Sequence, residues 1–131
     1  MKIVLDASAA LEVALNRKGA AELHARLNES DEILAPELFV PEVVNAVWKL
    51  HHFGNLSLGA CDAALEVLLE FVDTLVSCRE LYREAFLLSR TTRRPAYDMF
   101  YLALAKREDA ALMTLDNALR KEAVRQGIRL P

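Results

Sequence analysis

The chain has 131 residues, 53% hydrophobic and 27% charged, with four glycines, four prolines and a formal net charge of −3. This suits a single domain spanning residues 1–131 around one core, and it excludes a disordered or low-complexity chain. Asp6 ends the first apolar run too early for a secretory signal, and no apolar stretch approaches the roughly 18 residues of a membrane span. The sequence therefore reads as a soluble, cytoplasmic protein with no membrane partner. Cys61 and Cys78 form neither a metal spacing nor a disulfide framework, and both are expected to be reduced core residues in apolar surroundings. The acidic balance does not exclude nucleic acid: with four of the 19 acids set aside as a metal site, the 16 bases are one in excess.

In chain order, a short strand is predicted over residues 2–5 and a helix from Ser8 to Asn16. A second helix, Gly19 to Asn28, is amphipathic through Leu23 and Leu27, and a strand follows at Ile33 to Ala35. Pro36 and Pro41 bracket the entry to a helix running to His52, which Gly54-Asn55 ends. Ser57 caps the next helix, where Ala60, Ala64, Leu65, Leu68 and Phe71 share a face. A strand at Thr74 to Cys78 precedes a helix from Glu80 to Ser89. Met99 to Ala105 is apolar almost all round and predicts a buried central helix. A strand (Ala111 to Thr114), a helix (Asn117 to Gln126) and a last short strand (Ile128 to Leu130) complete the chain. Alternating strands and helices predict an α/β fold with a mainly parallel sheet, whose ligands bind beyond the carboxyl ends of the strands.

Four acids stand where helices begin. Asp6 and Asp116 follow apolar runs, and Glu42 and Asp98 follow prolines closely. Asp6 and Asp116 lie at the carboxyl edge of the predicted sheet. Brought together, the four form an oxygen-only pocket suited to Mg2+ or Mn2+, the chemistry of a metal-dependent phosphodiesterase. The competing reading makes each acid a helix cap that opposes the macrodipole. Two features favour the pocket. Pro41 places Glu42 one position late for a conventional cap, and Asp98 opens a helix apolar on every side, where an unpaired carboxylate is costly. Asn45 shares the Glu42 face, with an ordinary solvent-facing polar residue as the alternative. Ser8 and Thr114 each lie two residues from a proposed ligand. Strand alternation points the Thr114 hydroxyl to the Asp116 side, where it can orient a carboxylate or bound water, with local turn hydrogen bonding as the alternative. Arg90, Arg93 and Arg94 precede Asp98 and are candidates for phosphate contacts, with a solvated loop as the alternative. Trp48, with Val44 and Val47, reads most simply as core; an exposed Trp48 would mark a dimer or partner surface. His51 and His52 read as a solvated pair at a helix end.

The motifs MKIVLDAS (1–8), PEVVN (41–45), YDMFYLALA (97–105) and LMTLD (112–116) resemble, in this order and spacing, the PIN-domain ribonucleases. More narrowly they resemble the VapC-like toxins of toxin–antitoxin pairs, essentially from end to end. The resemblance implies a three-layer α/β/α sandwich with a central parallel sheet and an acidic pocket for magnesium or manganese. It places the acidic quartet on Asp6, Glu42, Asp98 and Asp116, with Asp6 and Asp98 as principal ligands and Glu42 and Asp116 completing the pocket or holding a second ion. The family's polar residue before the last acid falls on Thr114, and its frequent asparagine on Asn45. It also implies an RNA substrate, a homodimer and a cognate antitoxin protein. A housekeeping RNA-processing nuclease and a non-catalytic scaffold of the same fold are the competing readings. A phosphatase with an aspartate nucleophile fits poorly, because Ser8 stands where its second acid is usually needed.

Overall fold

The computed structural model describes residues 1–131. Four strands form: β1 (Lys2–Leu5), β2 (Glu32–Pro36), β3 (Thr74–Val76) and β4 (Ala111–Met113). All pair in parallel, in the order β3–β2–β1–β4. Their side chains alternate between two cores, as the two-residue strand period requires. Ile3, Leu5, Ala35 and Met113 face α1 (Ala7–Ala14), α2 (Ala20–Asn28), α3 (Phe39–Gly54) and α4 (Leu58–Glu70). Val4, Leu34, Val76 and Leu112 face α5 (Cys78–Thr92), α6 (Ala96–Glu108) and α7 (Asn117–Arg125). The result is a three-layer α/β/α sandwich, as expected.

The predicted central helix is α6. Its Met99, Tyr101, Leu102, Ala103, Leu104 and Ala105 are all buried, and each fully buried leucine contributes about 1.5–3 kcal/mol from the area removed from water. Pro95, extended at φ −54° and ψ 144°, stands outside the helix immediately before its first turn.

Several boundaries differ from expectation. Ile128–Leu130 is not a strand. It makes one bond to β4, from the Leu112 N–H to the Arg129 carbonyl (2.9 Å), while Gly127 (φ +76°) turns the Ile128 N–H back onto Ala123. One bond makes no ladder. α1 stops at Ala14, two residues before Asn16 adopts φ +50°. α5 begins at Cys78, so that residue opens a helix instead of ending a strand and is only half-buried. The same helix runs on to Thr92 and ends where Arg93 turns left-handed at φ +59°.

Trp48 corrects the core reading. α3 buries Phe39, Val43 and Val47, spaced four apart. Val44 and Trp48, each one residue further round the helix, turn away to solvent. Trp48 is 51% exposed and stacks on His52 with ring centroids 5.0 Å apart. Phe53 packs edge-on against both rings. No helix is long and apolar enough to cross a membrane.

Candidate active site

The strand order makes a crevice. The chain steps outward from β1 to β2 to β3, then returns past both to lay β4 on the other side of β1. Beyond β1 it enters α1 on one face, and beyond β4 it enters α7 on the other. Such a switch point leaves an opening at the carboxyl ends of the two strands, where open α/β sheets bind ligands. Asp6 and Asp116 stand on its two sides.

Asp6 is buried, and hydrogen bonds hold both its oxygens. Oδ1 accepts from the Ala9 N–H (3.1 Å), which caps α1, and from the Ser8 hydroxyl (2.7 Å). Oδ2 accepts from the Thr114 hydroxyl (2.5 Å). Each hydroxyl also accepts a backbone N–H from the segment after β4: Leu115 to Ser8 (3.0 Å) and Asp116 to Thr114 (3.1 Å). An N–H can only donate and a carboxylate only accept, so both hydroxyl orientations are determined. Asp116 caps α7 through Oδ1, which accepts from the Leu119 N–H (3.1 Å). Its other oxygen has no protein partner.

Glu42 and Asp98 cap nothing. α3 and α6 have no side-chain cap bond, and the Glu42 N–H already donates to the Leu38 carbonyl (3.2 Å). Glu42 instead accepts a hydrogen bond on Oε1 from the Tyr101 hydroxyl (2.5 Å). Capping therefore accounts for two of the acids and not for the other two.

All four acids line one cavity of about 360 Å³, together with Ser8, Asn45, Lys49 and Tyr101. Burial pushes the Asp6, Glu42 and Asp98 carboxyls above the usual carboxylate range. The acids also act on one another: Asp98 raises Asp6 and Glu42, Asp6 raises Glu42, and Asp116 raises Asp98. Burial and the Glu42 charge push the Tyr101 phenol well above its ordinary value, so it stays protonated and donates.

A pH dependence follows. A carboxyl raised in the fold contributes stability that is complete below about pH 4 and is lost as pH rises through its folded-state value. An asparagine in its place is insensitive to pH. Without metal, the melting temperature of Asp98→Asn minus that of the native chain should grow from about pH 4 toward neutrality. Differential scanning fluorimetry across that range checks it, and a difference that shrinks would contradict the assignment of burial as the dominant cause.

The donor set fits a hard divalent cation, being all oxygen, partly desolvated and mutually repulsive. No three acidic, histidine or cysteine side chains lie close enough together to hold one ion as they stand. As they stand, the acids do not form an all-protein cage.

Of the other predicted residues, Ser8 and Asn45 line the cavity and Thr114 holds Asp6, whereas the three arginines lie outside its lining. The Arg90 guanidinium lies 5.8 Å from the centre of the Phe86 ring. Arg93 forms the left-handed end of α5, and Arg94 pairs with the buried Glu122 at 3.9 Å while drawing the Asp98 carboxyl downward. Sequence reasoning missed Tyr101 and Lys49. Tyr101 follows Asp98 by three residues and Lys49 follows Glu42 by seven, so helical spacing could have flagged both.

Comparison with known proteins agrees with this fold. The PIN domain family model matches residues 3–124. The chain is 31% identical over 124 residues to "Ribonuclease VapC3" of Pyrobaculum aerophilum, covering 93% of this chain and 95% of that protein. The crystal structure of PAE2754 from Pyrobaculum aerophilum superposes with a TM-score of 0.66 at 22% identity, over 91% of this chain and 77% of that one. That of VapC20 from Mycobacterium tuberculosis, described as a sarcin-ricin loop cleaving toxin, gives 0.66 at 15% identity, over 92% and 94%. With the family model matched along nearly its whole length and a relative 31% identical over 124 residues, the chain belongs to the PIN-domain family and is VapC-like within it.

Proposed function

We propose that this protein is a metal-dependent endoribonuclease that hydrolyses RNA phosphodiester bonds in the acidic cavity, and that it is the toxin of a type II toxin–antitoxin pair. The observation that carries the reading is the gathering of Asp6, Glu42, Asp98 and Asp116 from four separate elements into one cavity at the switch point. The similarity to a protein named as a ribonuclease supports it.

Asp6 and Asp98 are the principal ligands for Mg2+, with Mn2+ as the alternative, and Glu42 and Asp116 complete the pocket. The bound cation supplies charge neutralisation and a lowered pKa for the attacking water. The chain supplies orientation. Ser8, Thr114 and the Ala9 amide fix the Asp6 carboxylate in one rotamer, which is the usual role of groups behind a metal ligand. Tyr101 holds one oxygen of Glu42 and leaves the other without a protein partner. Asn45 and Lys49 line the cavity wall, and in this reading they meet the phosphate. Hydrolysis adds a water oxygen to phosphorus and releases the ester oxygen, which takes up a proton.

The partners in this reading are RNA, a cognate antitoxin and a second copy of the chain, in the cytoplasm. The exposed Val44, Trp48 and Phe53 supply an apolar surface for a protein contact. A labelled RNA should be cleaved in magnesium or manganese and left intact in chelator, and either ion should raise the melting temperature saturably. Cleavage undiminished by chelator, or no cleavage with any divalent cation, would overturn the nuclease assignment. Growth arrest on expression, relieved by an antitoxin encoded beside it, tests the toxin half; harmless expression of an active enzyme would point to housekeeping RNA processing.

A further inference from the structure

A separate, open groove of about 570 Å³ runs along α7, lined by Asn117, Arg120, Lys121, Val124, Arg125 and Leu130. Three of the six are cations and none is an acid, on a chain whose net charge is −3. The groove adjoins the acidic cavity through the first turn of α7. Asp116, which lines the acidic cavity, caps that helix, and Asn117, which lines the groove, is its first residue. The Arg120 guanidinium donates to the Thr114 carbonyl (3.3 Å), and the Thr114 hydroxyl holds Asp6. Arg120 therefore ties the groove to the residue that holds Asp6.

The cations have different partners. Arg125 is tied at 3.2 Å to the buried Glu122, which also pairs with Arg94 from the segment before α6. Arg120 and Lys121 are exposed and enter no ion pair. Two unpaired cations beside a third, on one helix face, offer a repeating set of donors to a repeating anion. Val124, 60% exposed, and Leu130 add an apolar surface against which a sugar or base can lie.

We infer that this groove binds the phosphate backbone of single-stranded RNA and leads it past Arg120 into the acidic cavity. Phosphodiester contacts by arginine and lysine give affinity with little dependence on sequence. They also offset the repulsion that an anionic strand meets at four carboxylates. The inference rests on the ribonuclease reading for the direction of the strand, and the test separates the two.

Binding of a fluorescent single-stranded RNA oligonucleotide, followed by anisotropy in chelator from about 50 to 200 mM salt, reads the groove without cleavage. Arg120→Ala/Lys121→Ala should weaken binding several-fold and reduce the slope of log affinity against log salt by about 1.4, two phosphate contacts' worth. The same variant should keep the magnesium-dependent rise in melting temperature, which a damaged fold would lose. Arg17→Ala/Lys18→Ala removes the same charge from an exposed segment before α2 and should bind RNA as the native chain does. Unchanged affinity and slope in the α7 variant, an equal loss in the control pair, or no RNA binding by the native chain would each overturn the inference. So would an α7 variant that alters only the monomer–dimer balance in sedimentation, since the groove would then be a protein interface. If RNA binding is lost as expected but no divalent cation supports cleavage, the groove stands and the nuclease reading falls.

Discussion

Asp98→Asn is expected to lower magnesium-dependent RNA cleavage by about 10²–10³-fold, the effect of removing one preorganised electrostatic group from a reacting centre. The metal-free protein should be as stable as the native chain or more so. Asp98 caps nothing, and burial together with Asp116 pushes its carboxyl upward. Neutralising it removes a desolvation cost and a repulsion while conserving shape. Asp6→Asn should lose as much activity but behave differently in stability. Its carboxylate accepts three hydrogen bonds, and an amide nitrogen cannot accept the one from Thr114. The relief from desolvation is then offset by a buried hydroxyl that must find another partner, at a cost on the order of 1–3 kcal/mol. Cleavage rates and metal-free melting curves of both variants decide the matter. Undiminished cleavage by the two would remove the acidic cavity from the mechanism. Both substitutions make the same change of carboxylate to amide, and the hydrogen bonds distinguish them.

Thr114→Val should be the most damaging substitution outside the acids. Valine matches threonine in shape and lacks the hydroxyl, so Asp6 Oδ2 and the Asp116 N–H both lose their partner. Leaving a buried polar group unsatisfied costs about 1–3 kcal/mol, and more where it is charged. Activity should fall by about 10–100-fold, the usual effect of removing a group that orients a metal ligand. Thr114→Ser, which retains the hydroxyl, should recover most of both. A valine variant of native stability and activity would make Thr114 an ordinary buried residue, and failure of serine to rescue would assign the loss to packing.

Cap and pocket were alternatives when judged from local sequence, and the structure shows that they are not exclusive. Asp6 and Asp116 cap helices and line the cavity together. Both roles need a carboxylate at the first turn of a helix that leaves the sheet's carboxyl edge. The arginines before Asp98 show the opposite outcome. Nothing local indicated that Arg94 would be drawn to Glu122, far along the chain, while the α7 cations would line the open groove.

The strands through Met113, the buried α6 and the four acids at helix starts were legible because their signals are local. Apolar runs, prolines and the favoured caps act within one or two turns of chain. Tertiary structure decided what depends on partners distant in sequence. The Tyr101–Glu42 hydrogen bond joins α6 to α3, and Thr114 reaches Asp6 across 108 positions. The strand order alone opened the crevice between β1 and β4. Tertiary packing also settled which side of α3 met the core, so that Val47 went in and Trp48 stayed out. An amphipathic pattern states that one face is buried, but where that face ends depends on the width of what packs against it, and a single sequence does not contain that width.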